Sequence, residues 1–569
     1  MNELASNLHF GSARRRACLV LSCLLVSGCV SGSDGPSASN RGDSAGADGG
    51  SGSSNAQGGG AQGGAFATSG SSAAGSMNAT GGFNSTAGTG AASSLGGSGT
   101  TAGGAGPNGG GGGAAGAGTG PADVAVASHP VSVSSGKVFN VADDFFNDGF
   151  IPPSPLANFG FHAPIIPLQR ADGGLDVAWI DYSGGKGAPM ELPAVGMINV
   201  THIDPGLTTG TTVATGIQSY RLLGFTVDPS GNFYIAYNAD HPFKNSISGD
   251  ANNVNGNELR IAKSNGASFD TKAWDSLVFG DQDNTKDKSK GNAGAAGSGV
   301  LGFDTVNQKL VIYVAHQMAW GDNGTRHQAG FFAYFDPGTG KELAPGGSLP
   351  LNTGAGWFYS HDFDQRLLID NGTSYLLGHG DAFPRQLGLA SFNLSGYTND
   401  NASTFDQSYF AIDGNEGDNN TNAETGQFIK LSDGSFAMVH TSSQGRSARD
   451  VHVVLASSTG VKTTDAWLTS NTGNIQATMP KLEILNQELW LSYGLWDSTN
   501  RTNKTINWYS LLVDMSLKPA SQVLAISGVE FVAASPLLKF ASGPNAGNVA
   551  WVSGNSAHTL TVNVASVVR

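Results

Sequence analysis

The chain has 569 residues, 83 of them Gly and only 3 Cys, with a formal net charge of −14. So acidic a protein repels phosphate backbones, which sets nucleic acid aside as a partner. All three Cys lie at or before position 29, so the rest of the chain can build neither a disulfide framework nor a thiol nucleophile.

The N-terminus reads as an export signal. Arg14-Arg15-Arg16 precede an apolar run, Ala17 to Val26, and then Ser27-Gly28-Cys29. A positive patch, a short apolar stretch and small residues at the cut site make a secretory signal peptide over residues 1–28. The apolar run is too short to span a bilayer. Val26-Ser27-Gly28-Cys29 resembles the bacterial lipobox, which implies that Cys29 is lipidated and becomes the first residue of the mature protein. Arg15-Arg16 matches a twin-arginine signal poorly, because Cys18 stands where an aromatic is usual. Val30 is not the Asp that marks inner-membrane retention in such lipoproteins, so the resemblance implies the outer membrane or cell surface, with membrane contact through the lipid alone.

Residues 29–122 are Gly, Ser, Ala, Thr and Asn with hardly an apolar side chain. Such a segment cannot bury enough surface to offset its ordering entropy, and a disordered linker is expected. Roughly 90 residues at about 5–6 Å × √n reach about 50–55 Å. Arg14, Arg15, Arg16 and Arg41 balance Glu3, Asp34, Asp43 and Asp48, so the net charge belongs to residues 123–569.

In that remainder no long segment has a helical apolar period. Short strands separated by Gly, Asn and Asp indicate an all-β fold, and the strands repeat. Seven hairpins begin HAPIIPLQRADGGLDVAWID (162–181) and YRLLGFTVDPSGNFYIAYN (220–238). They continue with 299–316, 362–379, 426–440, 480–494 and 535–554. Turns such as DGG, PSGN and SDG supply the Gly or Asn that positive-φ positions need. A third strand follows each hairpin, from GMINVTHI (196–203) to TLTVNVA (559–565). Seven four-stranded units, none able to bury both faces alone, resemble a seven-bladed β-propeller over residues 123–569. No WD or kelch signature is present. The seventh unit lacks a fourth strand, and VSVSSGKVFNVA (131–142) is expected to supply it, closing the ring and protecting its edge. A monomer is expected.

In such a ring each blade's first strand starts on the face to which the loop after its second strand returns. WFYSHDFDQRLLIDNGTSYLLGHGDAFPR (357–385) therefore brings His361, Asp364, His379, Asp381 and Arg385 to one face. Second strands of three consecutive blades end in His316, His379 and His440, and the second blade adds Asn238, Asp240 and His241. Imidazoles serve as bases and as metal ligands, and a neighbouring carboxylate orients them. The same residues are equally suited to hydrogen-bonding loop backbones between blades. Asp413, Asn415 and Glu424 fall at EF-hand-like positions 1, 3 and 12, but the Gly is misplaced; Asp281, Asp283 and Asp287 make a second acidic loop. Either could take a divalent metal, although a solvated loop is the simpler expectation. Trp320, Trp357, Phe383, Trp467 and Trp496 lie at strand ends or in loops, where rings serve as sugar platforms or as core.

Two functions fit. One is a surface-displayed propeller that binds an extracellular polysaccharide or protein. The other is a polysaccharide lyase or glycoside hydrolase. Resemblance to propeller lyases that use His with Arg or a metal implies a base among His361, His379 and His440, with Arg385 neutralising a uronate. Fold alone does not choose between them.

Overall fold

The computed structural model describes residues 121–134, 165–181, 196–219, 221–239, 243–244, 253–254, 258–266, 268–279, 299–317, 328–343, 362–380, 387–395, 407–410, 423–443, 445–499, 505–532, 535–555 and 557–568. The chain divides into units Met1–Gly109 and Gly110–Arg569, and every described residue belongs to the second.

That unit is all-β: seven antiparallel blades arranged as a β-propeller. The first blade is Ile166–Gln169, Leu175–Asp181, Gly196–Ile203 and Gly210–Ser219. The second is Arg221–Val227, Phe233–Ala239, Glu258–Asn265 and Ser268–Phe279. Three described strands form the third: Gly299–Asp304, Lys309–Gln317 and Gln328–Phe335. The fourth is Asp362–Asp370, Thr373–Gly380, Leu387–Asn393 and Gln407–Phe410. The fifth is Glu424–Lys430, Phe436–Ser442, Asp450–Ala456 and Lys462–Trp467. The sixth is Ile475–Leu485, Glu488–Asp497, Asn507–Val513 and Leu524–Ile526. The seventh contributes Leu538–Lys539, Val549–Asn555 and Thr559–Val568. From the first blade to the sixth each inner strand touches the next, Ile475–Leu485 reaches the seventh blade at Val549–Asn555, and Ile166–Gln169 meets Leu538–Lys539 to complete the ring.

The closing strand is Asp123–Ser132, not 131–142. It pairs antiparallel with Thr559–Val568 from Asp123↔Val568 to Ser132↔Thr559. DVAVASHPVS buries Val124 and Val131 and leaves its other positions exposed or half-buried, and its Pro130 is tolerated because an edge strand leaves one set of backbone groups unpaired. Val124 and Val131, 2% and 0% exposed, point into two different interblade cores.

The core is divided among the blade interfaces rather than gathered at the centre. Valines, leucines and aromatics of facing sheets form five buried clusters. At Gly224 the inner strands of the second and third blades come too close for a side chain. A Cβ on Gly224 would stand 2.5 Å from the Leu301 backbone nitrogen of the next blade. Gly224→Ala is expected to lower Tm, at a cost of about 1–3 kcal/mol; an unchanged melting curve would mean the inner ring can dilate.

Four of these inner strands bulge at one level. The register slips between Leu222 and Gly224, Phe363 and Arg366, Thr425 and Phe428, and Thr478 and Lys481. Extra residues in a bulge bend the strand and re-aim side chains. Here they turn Gln365, Arg366 and Gln427 toward the axial space.

Candidate functional site

The axial space enclosed by the inner strands is about 100 Å³, lined by Gln365, Arg366, Gln427 and Ser535 among apolar residues. That is well below the roughly 300–1,000 Å³ of ligand pockets. Its polar groups hold neighbouring blades. Arg366 donates from Nε to Gly426 O at 3.1 Å and from Nη2 to Thr425 O at 2.8 Å. The buried Lys481 donates to Ser535 O at 2.7 Å, and Leu537 N donates to Gln427 Oε1 at 3.1 Å. The axis is therefore cement between blades. A wider bowl of about 1010 Å³ opens among the hairpin turns of the fourth to seventh blades. Its charges are largely engaged within the chain: Lys430 meets Asp370 at 2.7 Å and the Tyr375 hydroxyl at 3.2 Å. Burial pushes the Glu483 carboxyl up, against the pull of Lys539.

The two faces of the ring differ in the length of their connections. On one face the hairpin turns are as short as 371–372 and 486–487. On the other, strands are joined by 182–195, 240–257, 280–298 and 318–327. Long connections carried on a rigid scaffold are where binding and catalytic groups concentrate.

The ladders place several expected site residues on that second face. Counted outward from the bulges, Asn238 opposite Arg221, His379 opposite Phe363 and His440 opposite Thr425 occupy one level in three blades. His316 pairs with Ala329, beyond the end of its own blade's inner strand at Gly299. Asp364 lies in the fourth blade's bulge. His361, Asp381, Arg385, Asp240, His241, Asp413, Asn415, Asp281, Asp283, Asp287, Trp320, Trp357, Phe383 and Cys29 lie outside the described residues. Among the described residues no group of three or more His, Cys, Asp or Glu is placed to hold a metal, and no helix is long and apolar enough to cross a membrane.

His440 and Asn238 are both fully buried. Glu424, 4% exposed, accepts from Met479 N at 2.9 Å and from Thr478 Oγ1 at 3.0 Å. It thus braces the sixth blade's bulge, a role that the EF-hand-like spacing did not suggest.

Around His440 the fifth blade carries a polar chain across three strands. His452, its cross-strand neighbour, brings Nδ1 to 3.3 Å from His440 Nε2. The other nitrogen of His452 lies 2.8 Å from Asp465 Oδ2 on the outermost strand. Trp467 stacks on His452 at 4.2 Å, and the Arg446 guanidinium covers Trp467 at 4.7 Å. Arg446 in turn bonds the buried Asp450. His452 and Asp465 were invisible as partners in the sequence, because their separation from His440 becomes adjacency only once the strand register is known.

Burial holds His452 below the ordinary imidazole value, although its bond to Asp465 pulls it up. Burial raises Asp465, but the bonds and charges of His452 and Lys462 bring it below the usual carboxylate range. Both shifts have the same sign for stability. The unfolded chain binds protons more readily than the folded one, so stability falls as pH falls. The His452 contribution is lost from about pH 6.5 downward; that of Asp465 is lost below about 3.8. Between pH 7.5 and 5.5, Tm of the wild type should drop more steeply than that of His452→Gln. Parallel curves would show that His452 binds its proton equally well in the folded and unfolded states.

No family model matches the chain, and no curated protein matches it. Among solved structures it is similar to a GH43 β-1,3-galactosidase with galactodeoxynojirimycin, at 12% identity over 54% of this chain and 94% of that one, TM-score 0.28. A GH93 α-L-arabinofuranosidase of Fusarium graminearum with arabinobiose gives 12% identity, 61% and 93% coverage, and TM-score 0.34. A periplasmic gluconolactonase of Pseudomonas aeruginosa gives 11%, 64% and 88%, and 0.35. Likeness at this level carries no argument about chemistry.

Proposed function

We propose that the protein is exported, anchored by a lipid on Cys29, and uses its propeller to take an extracellular polysaccharide on the face of the long connections. The observation that supports this reading is the contrast in connection length between the two faces. The composition of those connections adds to it: 240–257 and 318–327 are rich in Asn, Asp, Gly and Ser, and Trp320, Trp357 and Phe383 fall in connections of this face. Amide and hydroxyl groups beside aromatic rings suit a ligand that is itself a dense array of hydroxyls. Glycan arrays should return oligosaccharide hits that are lost in Trp357→Ala and Phe383→Ala while Tm holds. An empty array would overturn the reading. Cys29→Ala should move the protein from the membrane fraction to the soluble one. Full retention in membranes would refute the lipid anchor.

A second reading, a polysaccharide lyase or glycoside hydrolase, is favoured by the level shared by Asn238, His379 and His440. Release of new reducing ends from an array hit, abolished in His379→Ala, would select it over simple binding.

A further inference from the structure

We propose that a groove between the sixth and seventh blades, on the face of the long connections, is a subsite for an uncharged, hydroxyl-rich stretch of the polysaccharide. The subsite presupposes the proposed carbohydrate function, on which this inference rests, and adds to it a place in the ring and a charge class.

The groove forms where two ladders end. The outermost strand of the sixth blade pairs with Asn507–Val513 only as far as Trp508↔Ile526, so Asn507 stands beyond the last pair. In the seventh blade Asn555 pairs with Thr559 and Ser553 with Thr561, which puts Asn555 and Thr561 on one face of the sheet. That face is turned to the sixth blade. Trp551 and Ala565, on the same side, join the sixth blade's buried cluster, whereas Leu560 and Val562 join the first blade's. The space between is about 560 Å³, with Asn507, Ser527, Glu530, Asn555 and Thr561 along its lining. That lies within the roughly 300–1,000 Å³ of ligand pockets. The connection that crosses the groove is held firmly. Phe531, 1% exposed, packs against Trp508 at 4.7 Å and Trp551 at 4.3 Å, and Trp551 Nε1 donates to Glu530 O at 3.0 Å.

The polar groups are within reach of a ligand. Asn507, Ser527 and Asn555 are exposed and Thr561 is half-buried. Among the described residues neither Asn507 nor Thr561 spends a side-chain hydrogen bond within the chain. Asn555 Oδ1 accepts from Ala557 N at 2.9 Å, which leaves its NH2 to donate. A sugar hydroxyl both donates and accepts, so it matches amides and hydroxyls in either direction. An anionic sugar is best met by a cation. No Lys or Arg is among the described lining residues, and the one charge there is the Glu530 carboxylate. The domain's net negative charge further opposes a uronate or a sulfate.

Calorimetric titration of the purified protein with the longest neutral oligosaccharide that the array returns tests the groove. Asn507→Ala, Thr561→Val and Asn555→Asp should each weaken binding about fivefold, one hydrogen bond apiece, at an unchanged Tm. Asn555→Asp keeps the acceptor that caps the turn at Ala557 and exchanges the donating NH2 for a carboxylate oxygen. Thr561→Ser restores the hydroxyl and should bind as wild type does. If Thr561→Ser binds as weakly as Thr561→Val, the loss is one of packing and the subsite is overturned. Uronate and sulfated oligosaccharides of the same length should bind more weakly than neutral ones; the reverse order overturns the charge class and the subsite with it. If Trp357→Ala abolishes neutral binding while all three groove variants match wild type, the subsite falls and the carbohydrate reading stands. An empty array overturns both.

Discussion

Deletion of Asp123–Ser132 is expected to cause the largest loss of stability of any short excision in the propeller. Ten residue pairs join this strand to Thr559–Val568, and each ladder hydrogen bond contributes about 0.5–1.5 kcal/mol net. Val131 and Val124 are withdrawn from water into separate cores, one reaching the first blade and the other the sixth. Each such side chain adds about 1.5–3 kcal/mol. Ser128 also donates to Asn563 at 2.9 Å inside the ladder. The combined loss is comparable with the roughly 5–15 kcal/mol that stabilises a whole domain. It also leaves Thr559–Val568 as a long open edge, which invites pairing between molecules. The deletion should therefore melt far below wild type and aggregate. Removal of residues 31–109, whose composition cannot bury a core, should leave Tm unchanged. Equal tolerance of both deletions would show that the ring does not depend on this strand.

The repeat was legible because hairpin chemistry is local. All seven hairpins fall where alternating apolar strands flank Gly, Asn or Asp. Asp228 shows why: its carboxylate accepts from Ser230 N and Asn232 N, and Gly231 takes φ 81°. The closing strand was misplaced because its pairing partner lies at the far end of the chain. Nothing local separates Asp123–Pro130 from the small-residue segment before it, whereas VSVSSGKVFNVA has the stronger apolar alternation. Bulges were hidden for the same reason. They slip the inner strand against its neighbour and so decide which side chains share a level. The common level of Asn238, His379 and His440 could be read by aligning turns, since the bulges recur in the second, fourth and fifth blades. The burial of His440, and its partnership with His452 and Asp465, depend on cross-strand register and blade packing, which no spacing encodes.

Glu424→Ala should be the most damaging single substitution on the face of the long connections. The carboxylate accepts from Met479 N with both oxygens at 2.9 Å and from Thr478 Oγ1 at 3.0 Å, linking the fifth blade to the sixth. Both donors are buried, and Met479 sits at φ 48°, a conformation a non-glycine residue adopts only when its surroundings hold it there. Removing the carboxylate deprives a buried N–H of its charged partner, at about 1.5–3 kcal/mol for that bond alone. It also releases the brace on a strained bulge and leaves a cavity beside Thr478. The expected total is about 3 kcal/mol or more, read as a large fall in Tm. Glu424→Gln should fall between, because one carbonyl oxygen still accepts from Met479 N. A metal-ligand role makes a different forecast. Calcium would raise the wild-type Tm, chelator would lower it, and both variants would be insensitive to either. With both oxygens already engaged by the sixth blade, the expected result is a melting curve that ignores calcium and chelator in wild type and variants alike. A calcium-dependent shift confined to the wild type would instead assign Glu424 to a cation.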